Sequence, residues 1–254
     1  MPIKIDYPLL SRLSALRALW QEAFGDTEEF LDAFFNTAFS PARCRTVTID
    51  GQTAAALYWF DCRYRDSRIA YLYAVATAGA SRGQGLCHKL MENTHSLLQT
   101  LGYEGSVLVP GNSDLFSFYE AMGYQTGCRI RKFTCTASDA AVALSQITPD
   151  AYAGLRRKLL PAGGIVQEKE NLDFLATWET FYAGPDFLLA AHREGDRLCC
   201  AELLGETSYA PGILSALGCT EGTFRTPGED LPFALYLQFK KGGEHPTYFG
   251  LAFD

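Results

Sequence analysis

Apolar residues between positions 11 and 39 return at steps of three and four: Leu13, Leu16, Leu19, Trp20 and Phe24, then Phe30, Leu31, Phe34 and Phe35. That is the repeat of helices that bury one face. Gly25 through Glu29 interrupt it, so the pattern predicts two helices, with Asp26 or Thr27 capping the second. The period then shortens. Cys44–Ile49 and residues 53–64 read as strands joined by Asp50-Gly51, a hairpin turn. Residues 69–77 are apolar on both faces, as a central strand is. After a glycine-bearing turn, Leu86, Leu90, Met91, Thr94, Leu97, Leu98 and Leu101 mark the buried face of a helix that Gly102 stops. A strand over 105–110, a helix over 114–122 and a strand over 124–135 follow.

The order α-α-β-β-β-α-β-α-β predicts an α/β (α+β) unit over residues 1–137, a mixed central sheet with flanking helices. Residues 136–142, small and polar, read as a linker. Residues 138–254 then repeat the opening. A helix runs from Pro149 to Leu160, a second covers 168–182, and strands over 187–192 and 198–204 are joined by a turn. A short helix over 211–217 and strands near 232–239 and 248–253 depart from the first half. The second half reads either as a degenerate copy of the first or as an unrelated α+β domain.

Composition narrows the function classes. The 254 residues are 48% apolar, enough for a packed core, and no apolar run reaches a bilayer span. The opening MPIKIDYPLL lacks the pattern of an export signal, so a soluble, cytoplasmic protein is expected. A net charge of −7 disfavours nucleic acid and anionic membrane as partners. The eight cysteines form no C-x-x-C pair, and none of the four histidines stands at ligand-like spacing from a pair of them. Buried, reduced thiols and no metal are expected.

The stretch 71–90, YLYAVATAGASRGQGLCHKL, passes from a central strand through Gly83 and Gly85 directly into a helix. Such a junction aims unpaired backbone N–H groups and the positive end of the helix at one spot, which suits a phosphate or pyrophosphate. It is not a P-loop, since G-x-x-x-x-G-K-[ST] is absent. Nor is it a dinucleotide fingerprint, since Gly83-Gln84-Gly85-Leu86-Cys87-His88 lacks the third glycine or alanine. An ordinary strand-to-helix turn without a ligand is the plainer alternative.

Arg82-Gly83-Gln84-Gly85-Leu86-Cys87 resembles the R-x-x-G-x-[GA] acyl-CoA loop of the GCN5-related N-acetyltransferases, with Cys87 in place of the last small residue. Asn112 and Tyr119, within N-S-D-L-F-S-F-Y-E-A-M-G-Y, resemble that family's N-x(6)-Y-E-x-x-G-[FY] helix. The resemblance covers about residues 1–135. It implies the acyl-CoA N-acyltransferase fold, acetyl-CoA as cosubstrate, and acetyl transfer to a primary amine by direct attack in a ternary complex. By position, Val75, Ala76 and Thr77 would pair with the pantetheine arm. The N–H groups of Arg82, Gly83, Gln84, Gly85, Leu86, Cys87 and His88 would cradle the pyrophosphate. Asn112 would contact the cosubstrate or fix the loop before its helix, and Tyr119 would be the general acid toward the departing thiolate. Cys87 reads as a packing residue, although helix N-termini do lower thiol pKa.

The base for the amine is not visible, because residues 71–77 carry no Asp or Glu. Asp61 and Glu29 are candidates, against the ordinary reading of solvated carboxylates. The chain also resembles the multi-acetylating aminoglycoside acetyltransferases, in which an acetyltransferase domain is followed by a degenerate one and the C-terminal carboxylate reaches the active site. By that analogy Asp254 would be the base, although no counterpart of the further C-terminal domain of those enzymes is expected here. The expected partner is a small-molecule or peptide amine, and the second half would wall the acceptor cleft or build a homodimer. Phe34, Phe35, Tyr58, Trp59 and Phe60 either line an acceptor pocket or fill the core. The alternative function is a catalytically inactive acyl-CoA-binding sensor or structural partner.

Overall fold

The structure, a computed structural model, describes residues 3–240 and 242–253. It divides into two compact units. One comprises Met1–Cys62, Asp66–Leu108 and Leu237–Gly243; the other comprises Arg63–Arg65, Val109–Tyr236 and Glu244–Asp254.

The first unit contains β1 (Ile3–Asp6), α1 (Leu13–Phe24), α2 (Glu28–Thr37), β2 (Cys44–Ile49), most of β3 (Gln52–Tyr64), β4 (Ser67–Thr77), α3 (Leu86–Thr100) and β5 (Gly105–Leu108). Its strands lie in the order β1-β2-β3-β4-β5. The β1–β2 and β2–β3 pairs are antiparallel, and β4–β5 is parallel, with α3 as the crossover that parallel neighbours require. Gly25 ends α1 at φ 74°, and the Thr27 hydroxyl caps α2 by accepting the Phe30 N–H at 3.3 Å. Asp26 instead accepts the Trp20 indole N–H at 2.7 Å. The rings of Trp20, Phe34 and Tyr58 pack in tilted and edge-on contact at 4.6–5.2 Å between centroids, and Trp59 and Phe60 are buried as well. These aromatics fill the core of the unit; only Phe35 is partly exposed.

The second unit contains α4 (Asp114–Glu120), β6 (Gln125–Thr136), β7 (Ser145–Ile147), α5 (Pro149–Leu159), β8 (Val166–Gln167), α6 (Glu170–Leu175), β9 (Thr180–Ala183), β10 (Phe187–Glu194), β11 (Arg197–Gly205), α7 (Ala210–Leu217), β12 (Glu221–Pro227) and most of β13 (Leu231–Gln238). Its strands lie in the order β7-β9-β10-β11-β12-β6-β13. Phe187, Leu189, Leu203, Ile213, Leu214 and Phe224 form a core beneath α7. On β11 the fully buried Glu202 accepts four hydrogen bonds. Arg156 donates two, from Nε at 2.6 Å and Nη2 at 2.8 Å, and the hydroxyls of Tyr152 and Tyr248 donate at 2.8 and 2.9 Å.

Several expectations for this unit are corrected. The helix expected over 168–182 is only Glu170–Leu175; the chain then turns, and Thr180–Ala183 is a strand held between β7 and β10. Strand β12 was not anticipated, because Phe224 is its one large apolar residue; burial between β11 and β6 makes it a strand. Residues 248–253 are buried but are no strand beyond one bridge from Tyr248 to Gly164; the Gln167 side chain bonds the backbone of Leu251 instead. The segment read as a linker is docked: Ala137, Ser138 and Val142 donate backbone hydrogen bonds to Thr220, Pro211 and Gly212. Within the second unit, β6 lies in register between β12 and β13.

Candidate functional site

Among the described residues, strand β4 pairs with β5 at Ile69, Ala70 and Tyr71 and then continues without a partner strand on that edge to Thr77. Ala74, in the free stretch, has φ 47°, a value that costs a non-glycine residue and kinks the strand. The outcome is an open strand edge over residues 72–77, able to take another extended chain by backbone hydrogen bonding. Val75 and Thr77 are partly exposed there, and Ala76 is buried.

From Thr77 the chain enters a one-turn 3-10 helix, Gly79–Ser81, that two side chains fix. Glu22, on α1, accepts the Gly79 N–H at 2.6 Å, and Arg82 donates from Nε to the Thr77 carbonyl at 3.1 Å. Gly83 and Gly85 follow at φ 73° and 71°, the left-handed region where a side chain is strained. A Cβ at either would meet nothing within 4 Å, so open space lies over the turn. The first hydrogen bond of α3 runs from the Lys89 N–H to the Gly85 carbonyl at 3.1 Å. The N–H groups of Leu86, Cys87 and His88 therefore have no partner within the helix, and Gly85 brings no capping side chain. Fifteen residues of helix place the positive end of its dipole at this point. Arg82, Gly83, Gln84, Gly85 and His88 are exposed. Cys87 is not: burial pushes its thiol up to about 11, so the helix terminus does not make it a thiolate near neutrality.

The second unit holds the other two predicted residues. The Asn112 side-chain oxygen accepts the N–H groups of Asp114 and Leu115 at 3.1 and 3.2 Å. These two bonds fix the start of α4. Tyr119, on α4, is buried with its ring 5.2 Å from Phe118 and 5.9 Å from Tyr124. Asp254 lies outside the described residues.

Neither of the other carboxylates stands as a free base. Asp61 accepts the Tyr103 hydroxyl and faces Arg68 at 3.3 Å and Arg43 at 3.5 Å. Arg68 is the second residue of β4, and the seven steps from there to Val75 span roughly 23 Å of strand, so Asp61 sits at the wrong end. Glu29 lies in the first turn of α2, where its own N–H and Thr27 hold its carboxyl below the usual range. Sequence reasoning missed Glu22, whose role in holding the loop depends on α1 lying beside β4. It also missed His192 and Cys199, which are register partners across the β10–β11 hairpin. With Glu194 their ligand atoms lie within 4.8 Å of one another.

Residues 9–127 match the model of the acetyltransferase (GNAT) domain. The chain carries a GNAT acetyltransferase domain. The matched span takes in the β4 edge, the glycine turn, Asn112 and Tyr119. Among solved structures, a GCN5-related N-acetyltransferase from Kribbella flavida is 15% identical with TM-score 0.74, over 92% of this chain and 70% of that one. One from Anabaena variabilis is 14% identical with TM-score 0.72, over 92% and 72%. A putative acetyltransferase from Pyrococcus horikoshii is 11% identical with TM-score 0.65, over 98% and 94%. These likenesses show a shared fold, and it extends well beyond the GNAT domain match. No curated protein matches the chain. Among the described residues no helix is long and apolar enough to cross a membrane.

Proposed function

We propose that this chain is an acetyl-CoA-dependent N-acetyltransferase that transfers acetyl to a primary amine by direct attack in a ternary complex. The observation that carries the reading is the free β4 edge continuing into an open glycine turn at the start of α3. The edge offers backbone partners to the amide-bearing pantetheine arm, and the turn offers unpaired N–H groups and a helix dipole to the pyrophosphate. Tyr119 would donate to sulfur as the thiolate leaves. The protonated thiol of Cys87 supports attack by the amine itself rather than an acetyl-cysteine relay. Asp254 is the proposed base, by analogy with the aminoglycoside acetyltransferases. The acceptor is a small-molecule or peptide amine.

The second half, we propose further, is a degenerate copy that binds no acetyl-CoA. The series β7-β9-β10-β11-β12 matches β1-β2-β3-β4-β5, with two helices after the first strand and one helix in the parallel crossover. Where the first unit is open, the second is filled: a methyl added at Gly212, in α7, would stand 2.5 Å from Val142 Cγ1.

The test is calorimetric titration with acetyl-CoA, followed by turnover against a panel of amines. One site per chain is expected, abolished in Gly85→Glu, whose side chain enters the open space. In Tyr119→Phe and Asp254→Asn, binding persists while kcat falls on the order of 100- to 10,000-fold. Absence of binding by the wild-type chain would sink the reading, and binding without turnover on any amine would favour an acyl-CoA sensor.

A further inference from the structure

His192 and Glu194 project from the same face of β10, two residues apart, and Cys199 lies directly opposite His192 on β11. Three different donor atoms thus meet over one point of the sheet: an imidazole nitrogen, a carboxylate oxygen and a sulfur, all within 4.8 Å of one another. The His192 Nε2 and Glu194 Oε1 atoms are 3.5 Å apart. Two ligands each about 2.1 Å from a tetrahedral ion stand about 3.4 Å apart, so this pair is already spaced for coordination.

A separate observation concerns the other ring nitrogen. His192 Nδ1 lies 2.8 Å from Oε1 of Glu179, whose side chain is only 3% exposed. A buried carboxylate on one imidazole nitrogen fixes the tautomer, turns the lone pair of the other outward and raises its basicity; metal-ligating histidines are held in this way. The three donors line a cleft of about 260 Å³ that Lys132 and Arg225 also line. A fourth coordination position would face this cleft, where those two cations favour an anionic occupant.

We infer that the second unit binds one divalent transition-metal ion through His192, Glu194 and Cys199, with Glu179 as the orienting residue. Mixed nitrogen, sulfur and oxygen donors in a compact set suit zinc better than magnesium or calcium. On binding, the Cys199 S–H bond breaks, its proton passes to solvent and the sulfur lone pair binds the ion. The inference is independent of the acetyl-transfer reading.

Chelator-stripped full-length protein, titrated with Zn²⁺ against a competing chromophoric chelator, tests it. One tight equivalent is expected, lost in His192→Ala and Cys199→Ser, weakened 10- to 100-fold in Glu179→Gln, and retained in Cys135→Ser. Co²⁺ added to the wild-type chain should give tetrahedral d–d bands and a thiolate charge-transfer band that is missing in Cys199→Ser. The d–d and thiolate bands of the wild-type chain are a readout that needs no variant. No stoichiometric zinc, zinc binding equal in the wild type and the His192 and Cys199 variants, or cobalt without the thiolate band would overturn the site.

Discussion

Glu202 ties Arg156, Tyr152 and Tyr248 together in the second unit, and Glu202→Gln isolates what that is worth. The substitution keeps the shape of the side chain, so it opens no cavity and removes only a charge and half of an acceptor set. In the native chain four donors converge on the carboxylate, two from Arg156 and one each from Tyr152 and Tyr248. An amide offers one oxygen, and its NH₂ must point at groups that are themselves donors. The Arg156 guanidinium, 2% exposed, is left buried and without its counter-charge. Removing one partner of a buried pair costs about 3–5 kcal/mol. For a chain of this size each kcal/mol moves Tm by about 2–4 °C, so Tm should fall by about 6–20 °C. Calorimetric and circular-dichroism melts at neutral pH measure this directly. A shift below about 2 °C, less than about 1 kcal/mol, would refute the reasoning and mean that water reaches the pair.

Two further outcomes follow from burial in the first unit. Because burial pushes the Cys87 thiol up to about 11, alkylation of the Cys87 peptide, followed by mass spectrometry, should still accelerate with pH beyond pH 9; a plateau below pH 8 would contradict it. Burial, aided by His88, lowers His95 from 6.5 to about 4, so its ring stays neutral in the folded chain while the unfolded chain takes up a proton. Its stabilising contribution is complete above pH 6.5 and is lost as pH falls toward 4; a ring titration by NMR with a midpoint near 6.5 would exclude this.

Local pattern determined much of the first unit. Helices α1 and α2, their break at Gly25, the Asp50-Gly51 hairpin, β4 and α3 each carry a period or a turn residue within a few positions, and those signals act at short range. The glycine turn before α3 was legible for the same reason: glycines at positive φ followed by a helix face are written consecutively in the chain. Asn112 also declared its place, and the structure shows its side chain fixing the start of α4.

Other features depended on partners distant in sequence. Strand β12 has one large apolar residue and is a strand because β11 and β6 flank it. The helix expected through Tyr182 yields at Leu175 because β7 and β10 claim Thr180–Ala183. Asp61 had the chemistry of a base, but Arg43, Arg68 and Tyr103 hold it at the far end of β4. His192, Glu194 and Cys199 show no ligand spacing along the chain; register across a hairpin brings them together, and Glu179 arrives from outside that hairpin. Sequence by itself sets periodicity, turns and caps, which depend on neighbours within a turn or two. Which side chains share a site depends on strand register and packing, and those are decided only when distant segments meet.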